Sequence, residues 1–241
     1  KKYYPNGQLD QKYTKDLVAA YQAIDMSEDV IIALYNNSSA SVFFVSENIK
    51  KYNLSPETII KWGGLLFFKM LHYSHYSFAY NVIKHEYKFN RTIKRLQKNE
   101  RNKIYCSGLK LVDGNGQIKR VFIKGKQLLL DNTGQTNISV YFLEEIPHLV
   151  KSDHYWFRLE NKEKTIAYSQ QKEKKVFTDI LSNREKDILR LLALNKTSQQ
   201  IAEELFLSKL TIETHRKNMI KRIGAINSTA MVHLCKMANL L

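Results

Sequence analysis

The chain has 241 residues, 44% hydrophobic and 25% charged, the balance of a globular protein with room for two domains rather than of a disordered or fibrous one. Its apolar runs fall short of the roughly 20 residues that span a bilayer, and the opening Lys1-Lys2-Tyr3-Tyr4-Pro5 leads into no secretory-type apolar stretch. A cytoplasmic protein with no membrane partner is expected. The net charge of +15 favours a polyanionic partner.

In chain order, residues 8–25 put Leu9, Tyr13, Leu17, Ala20, Tyr21 and Ile24 on one helical stripe. Residues 30–35 and 42–45 are short, β-branched or aromatic runs around the turn cluster Asn36-Asn37-Ser38-Ser39, so they predict two strands. A short helix is expected from Ser46 and another after Ser55, which can cap it, with Pro56 at its first position. Tyr76, Tyr80, Ile83 and Tyr87 then recur at helical spacing and predict one long amphipathic helix over 73–99. After it the period changes to two. Ile104–Val112 and Ile118–Leu130 read as strands about an Asp113-Gly114-Asn115-Gly116 hairpin turn. Thr136–Glu145 reads as a third strand, with Ile138, Val140 and Phe142 on one face, after the turn Asp131-Asn132-Thr133-Gly134. Pro147 helps to stop it.

This order of elements over about 28–146 resembles a PAS domain. The resemblance rests on Phe44-Val45-Ser46-Glu47-Asn48-Ile49 followed by Leu54-Ser55-Pro56-Glu57, on Leu71-His72-Tyr73-Ser74-His75-Tyr76, and on the Asp113/Gly116 and Asp131/Gly134 turns. The second piece lacks the Pro-Asp-Asp part that many members carry. The resemblance implies a curved antiparallel sheet with helices over one face, often around a small-ligand pocket; the identity of any ligand is left open.

Residues 151–177, with Arg158-Leu159-Glu160-Asn161-Lys162-Glu163-Lys164 and Gln170-Gln171-Lys172-Glu173-Lys174-Lys175, read as an exposed charged linker or a charged helix. Beyond it come four helix signals. Ser182-Asn183-Arg184-Glu185 and Thr197-Ser198-Gln199-Gln200 have the form of capping boxes. Asn195 suits a left-handed C-terminal cap. Ser208 can cap a helix over 209–223, and Asn227 or Ser228 a last one carrying Met231, Val232, Leu234, Cys235 and Met237. On 209–223, Ile212, Met219 and Ile223 share one side with Arg216 between them. Glu213, Thr214, Lys217 and Lys221 share the other, with Leu210 beside them. Such a helix can rest on a small core while pressing into a major groove.

From Leu181-Ser182-x-Arg184-Glu185 through Ile201-Ala202-x-x-Leu205 to Ser208-x-x-Thr211-Ile212-x-x-His215-x-x-Asn218-Met219-x-x-x-Ile223, the run resembles the LuxR-type helix-turn-helix of bacterial regulators. The resemblance covers about 178–241. It implies four helices, the third reading DNA and the fourth often dimerising. The corresponding DNA-binding candidates are Lys209, Thr211, Glu213, Thr214, Lys217, Asn218 and Lys221. Asn195 stands where the family usually has Gly. Glu213 stands where a basic or neutral residue is common, and a carboxylate accepts from cytosine N4 but repels phosphate.

The expected fold is therefore an α+β PAS-like domain followed by an all-α four-helix helix-turn-helix domain. The expected boundaries are an arm over 1–27, the PAS-like domain over 28–150, the linker over 151–177 and the DNA-binding domain over 178–241. The expected function is sequence-specific transcription regulation by a homodimer on double-stranded DNA, with the first half sensing a signal or holding the dimer. RNA polymerase stays open as a further partner, and a PAS-based adaptor of protein contacts is the alternative. Region 4 of a sigma factor uses a similar fold, but the first half shows no region suited to core polymerase. No receiver-type acidic cluster, nucleophile elbow, H-E-x-x-H or P-loop is seen, so neither phosphorelay control nor catalysis is expected. No metal or cofactor is expected: His72, His75 and His85 are unevenly spaced, and Cys106 sits in a strand context unlike that of a flavin-adduct cysteine. Cys106 and Cys235 read as reduced thiols. The charge is uneven: residues 84–126 hold thirteen basic and three acidic residues, +10, while 178–241 hold ten and six, +4. The basic stretch reads either as a solvated face or as an accessory phosphate-contacting one.

Overall fold

A computed structural model describes residues 11–24, 29–91, 102–130, 136–151, 153–162, 164–169 and 179–241. Helix α1 spans Gln11–Gln22. Strands β1 (Val30–Asn36) and β2 (Ser41–Val45) follow, then α2 (Pro56–Trp62), α3 (Leu66–Met70) and α4 (Tyr76–Arg91), with short 3-10 turns before and between them. Strands β3 (Lys103–Val112), β4 (Ile118–Leu130) and β5 (Thr136–Glu145) form the expected meander, and β6 (Trp156–Glu160) and β7 (Thr165–Ser169) extend it. Helices α5 (Asn183–Ala193), α6 (Ser198–Glu204), α7 (Lys209–Ile223) and α8 (Ser228–Met237) end the chain.

All seven strands join one antiparallel sheet in the order β2-β1-β5-β4-β3-β6-β7. Because side chains alternate along each strand, the sheet has two apolar faces. One face carries Ile31, Ile104, Cys106, Leu109, Val121, Phe157 and Leu159 and is covered by the helices between β2 and β3. The other is divided. Ile32, Leu34, Ile138 and Val140 lie under Tyr13, Leu17, Val18 and Tyr21 of α1. Tyr105, Phe122, Trp156 and Ala167 lie under the four-helix region and share its core with Ile188, Leu189, Ile212, Met219 and Leu234. The N-terminal half is thus an antiparallel sheet with flanking helices, and the C-terminal part is the four-helix region.

Two expectations need correction. The stretch read as a charged linker contains β6 and β7, and all five residues of β6 are buried. Its charges do not all mark solvent: Lys162 and Lys164 are exposed, but two others are not. Arg158 and Glu160 are buried because they pair with each other and with groups of the four-helix region. Residues 170–175 lie outside the described residues. The second correction concerns α4. Tyr76, Tyr80 and Ile83 are exposed, whereas Phe78, Ala79, Val82 and Phe89 are buried. Both stripes have helical spacing; the core takes the one without hydroxyls, and the tyrosines keep their polar tips in water. The expected continuation of the helix to 99, Leu9 and the Asp131–Gly134 turn all fall outside the described residues.

A backbone contact sets the position of β6. Gly108 interrupts the β3–β4 register with a φ of +77°, and a Cβ there would sit 2.0 Å from the carbonyl oxygen of His154. Only glycine allows both the conformation and the approach.

Candidate nucleic-acid interface

The interface is assembled from locally specified helices. Ser182 accepts from the Glu185 amide while the Glu185 carboxylate accepts from the Ser182 amide at 2.8 Å, closing the capping box on α5. Thr197 and Gln200 do the same on α6. The Thr211 amide donates to the Ser208 hydroxyl at 3.0 Å to cap α7, and Asn227 caps α8 through the Ala230 amide at 2.8 Å. Each cap satisfies amides that the helix start leaves free. Asn195 has a φ of 60°, the left-handed value its place after α5 requires. Between α6 and α7, the Leu207 amide donates to the Ala202 carbonyl at 2.9 Å, and the Arg184 guanidinium donates to the Leu205 carbonyl at 2.6 Å. These bonds hold a short turn between the two helices.

Helix α7 has two dissimilar sides. Ile212, Met219 and Ile223 are fully buried. Arg216 is half-buried, its guanidinium donating to Ser198 at 2.6 Å and Ser228 at 3.0 Å, which ties α6, α7 and α8 together. Lys209, Leu210, Glu213, Thr214, Lys217, Asn218 and Lys221 are exposed. Thr211, expected from its position to meet DNA, is half-buried and its hydroxyl lies 2.8 Å from that of Ser208, so it belongs partly to the cap. The Thr214 hydroxyl donates back to the Leu210 carbonyl at 2.8 Å. Lys209 and Glu213 approach to 4.0 Å, both well exposed, a pair that contributes little to stability. Leu210, 73% exposed at the start of the row, offers an apolar surface of the kind that meets a thymine methyl.

The far end of α7 is anchored on the sheet. Helix ends leave carbonyls without intrahelical partners, and here the sheet supplies donors. His154 Nε2 donates to the Arg222 carbonyl at 2.7 Å, and Trp156 Nε1 to the Ile223 carbonyl at 3.0 Å. Ser169 adds a hydroxyl bond to the Arg222 carbonyl at 3.3 Å. The Lys151 amide donates to the Gly224 carbonyl at 2.7 Å, and the Ile226 amide to the Leu149 carbonyl at 3.1 Å. Burial holds the His154 ring below the ordinary histidine range, assisted by Lys151 and opposed by the bond to Arg222; the neutral ring is the form that packs here.

Beside this anchor lies a buried ionic network. Arg158 Nε donates to Asp179 at 3.0 Å, and its Nη1 to Glu160 at 2.5 Å and to the Ala238 carbonyl at 3.3 Å. The Tyr105 hydroxyl donates to Glu160 at 2.8 Å, Asn239 reaches the same carboxylate at 3.2 Å, and Lys186 bonds Asp179 at 2.6 Å. Burial raises the Asp179 carboxyl, but Lys186 and Arg158 outweigh it and hold the group below its usual range. On the other side of α5, burial likewise opposes Arg222 and Ser182, which together hold Glu185 low. Sequence reasoning missed this network because its bonded partners are separated by up to 80 positions along the chain.

The remaining candidates have structural settings. Among the described residues no group of three or more His, Cys, Asp or Glu is arranged to hold a metal ion. His75 packs against Phe78 and Tyr155 and is pushed down to about 4, chiefly by burial. Burial pushes both thiols up, that of Cys235 to about 12. Under α4, a gap lined by Glu86, Gln127, Ser139 and Tyr141 offers about 10 Å³, space for about one water; burial pushes the Glu86 carboxyl up to about 7. No helix among the described residues is long and apolar enough to cross a membrane.

The four helices coincide with a known family. The model of bacterial regulatory proteins, luxR family, matches residues 179–235. The spore germination protein GerE of Bacillus subtilis is 37% identical over 62 residues, 25% of this chain and 84% of GerE. The chain belongs to the luxR family of bacterial regulatory proteins. The chain spans only about a quarter of some longer relatives: the transcriptional regulatory protein MctR of Rhizobium johnstonii is 38% identical over 55 residues, 23% of this chain and 26% of MctR. A solved phage VqmA–DPO complex aligns with 96% of this chain and 89% of its own at 11% identity and a TM-score of 0.35, too loose an overlap to bear on this luxR-family chain.

Proposed function

We propose that this luxR-family chain is a sequence-specific DNA-binding transcription regulator. Helix α7 enters the major groove, and the PAS-like half senses a signal or holds a homodimer. The observation that carries the reading is the division of α7: three side chains sealed in the core, an exposed row of Lys209, Leu210, Glu213, Thr214, Lys217, Asn218 and Lys221, and an end tied down at five points. A helix fixed along its back and at one end presents its free side chains in constant geometry, which base-edge hydrogen bonding requires. Within the row, Lys217 donates to base acceptors, while Glu213 and the Thr214 hydroxyl, whose proton is held by the Leu210 carbonyl, accept from base amino groups; the flanking lysines meet phosphates. The domain boundaries that go with this are a sheet domain from about residue 28, now running through β7, and the reader from 178 onward.

Two copies would address half-sites about 34–36 Å apart. Selection from fragmented genomic DNA with the full chain, with its mass measured by light scattering, tests the reading. A dimer enriching a near-palindromic motif is expected. A well-folded dimer recovering fragments at random would overturn it in favour of an adaptor of protein contacts.

A further inference from the structure

Most of the net positive charge lies outside the reader, and part of it is brought back to α7 by the sheet. The segment between β5 and β6 runs alongside the end of α7. Its Val150 pairs with Ala225, its Lys151 amide donates to the Gly224 carbonyl at 2.7 Å, and its Leu149 carbonyl accepts from Ile226 at 3.1 Å. From the sheet side, the Arg120 guanidinium of β4 donates to the Lys151 carbonyl at 3.3 Å. The backbone of Lys151 is therefore held from both sides while its side chain is exposed. With Arg216, Lys217, Lys221, Glu213 and Ser228 it lines an open groove of about 520 Å³ along α7. Among the described residues no carboxylate forms an ion pair with Lys151, Lys217 or Lys221. The nearby Asp153 is bonded to Lys110 at 2.7 Å.

We propose that Lys151 is a phosphate contact supplied by the PAS-like half, so that the DNA interface continues from α7 onto the sheet. This rests on the reading of α7 given above. In helix-turn-helix docking the first residues of the reading helix meet base edges, and its later turns run out towards the strand backbone. Lys221 and Lys151 stand at that later end, where a duplex seated on Lys217 and Thr214 presents phosphates. A lysine there acts as a point charge that releases a condensed counterion, and it adds affinity without sequence preference. Because Lys151 is fixed relative to α7 by backbone bonds, the contact also reports whether the sheet and the reader stay docked on DNA. It gives the basic stretch a specific part: Arg120 holds the loop that presents the contact.

Anisotropy titrations of the full chain with its selected duplex and with a scrambled one, between 50 and 200 mM salt, test this. Lys151→Ala should weaken both complexes alike, by about fivefold at 0.15 M salt, and make the slope of log K against log salt shallower by about 0.9. Lys151→Glu should weaken both further, and Lys151→Arg should restore the slope. Unchanged affinity and slope in both the Ala and Glu variants, with the wild-type chain still preferring its duplex, would overturn the inference and leave the reading of α7 standing. A wild-type chain with no preference would end both.

Discussion

Replacing Arg158 by Met is the sharpest probe of how the reader is held. Methionine fills much of the same space but removes the charge and every hydrogen bond. The Arg158 side chain is 5% exposed and bridges Glu160 and Asp179, so its loss leaves one buried and one part-buried carboxylate short of a partner. Removing one member of a buried ion pair costs about 3–5 kcal/mol. Lys186 still serves Asp179, and Tyr105 and Asn239 still serve Glu160, which puts the expected loss near the lower end, about 3 kcal/mol. The assay is urea unfolding of the full chain at several pH values. Asp179 is held below its usual range in the folded chain, so it contributes stability above the unfolded carboxylate value of about 3.9 and loses it as pH falls through the folded value. In Arg158→Met burial still acts on Asp179 with less to oppose it, so the folded value rises. The gap between variant and wild type should be widest near neutrality and narrow below about pH 4. Arg158→Lys should recover only part, since an ammonium cannot form the same fork. A loss below about 1 kcal/mol at pH 7, the range of exposed pairs, would refute the claim that β6 is buried against the reader.

Truncating Ile212 to Ala, fully buried beneath the exposed row of α7, should cost about 2–5 kcal/mol in the same denaturation assay. The folded chain also resists protonating His75, which burial holds at about 4. Its unfolded form titrates near 6.5, so stability is full above that value and falls with pH, by about 2 kcal/mol at pH 5. His75→Asn should lose that part of the slope. Breaking the α5 cap with Ser182→Ala should lower stability by about 1 kcal/mol, read as a fall in melting temperature.

The reader is legible in the sequence because its signals are local. Ser182, Thr197, Ser208 and Asn227 cap the helices they precede, and the alternation of sides on α7 follows from 3.6-residue periodicity alone. The meander is legible for the same reason, with Ile118–Leu130 and Thr136–Glu145 bounded as read. What the chain hides depends on distant partners. Arg158 and Glu160 look like solvent residues until Asp179 and Asn239 are placed beside them. Yet Trp156-Phe157 and Ile166-Ala167-Tyr168 around Asn161-Lys162 carry an apolar hairpin pattern that the charges obscure. On α4 the two stripes compete, and hydroxyl placement decides between Tyr80 and Phe78 only once the sheet is present. The role of Lys151 has no sequence signal at all; the loop is placed by Gly224 and Arg120, far along the chain in either direction.

Lys217 lies in the middle of the exposed row, so its truncation addresses the central claim most directly. The measurement is the ratio of affinities of the full chain for its selected duplex and for single-base-pair variants of it, with Lys217→Ala beside the wild type. If α7 reads base edges, the variant should lose about 1–3 kcal/mol on the selected duplex and relax its preference at one position, with smaller losses elsewhere. An unchanged ratio and an unchanged affinity would contradict the placement of α7 in the groove.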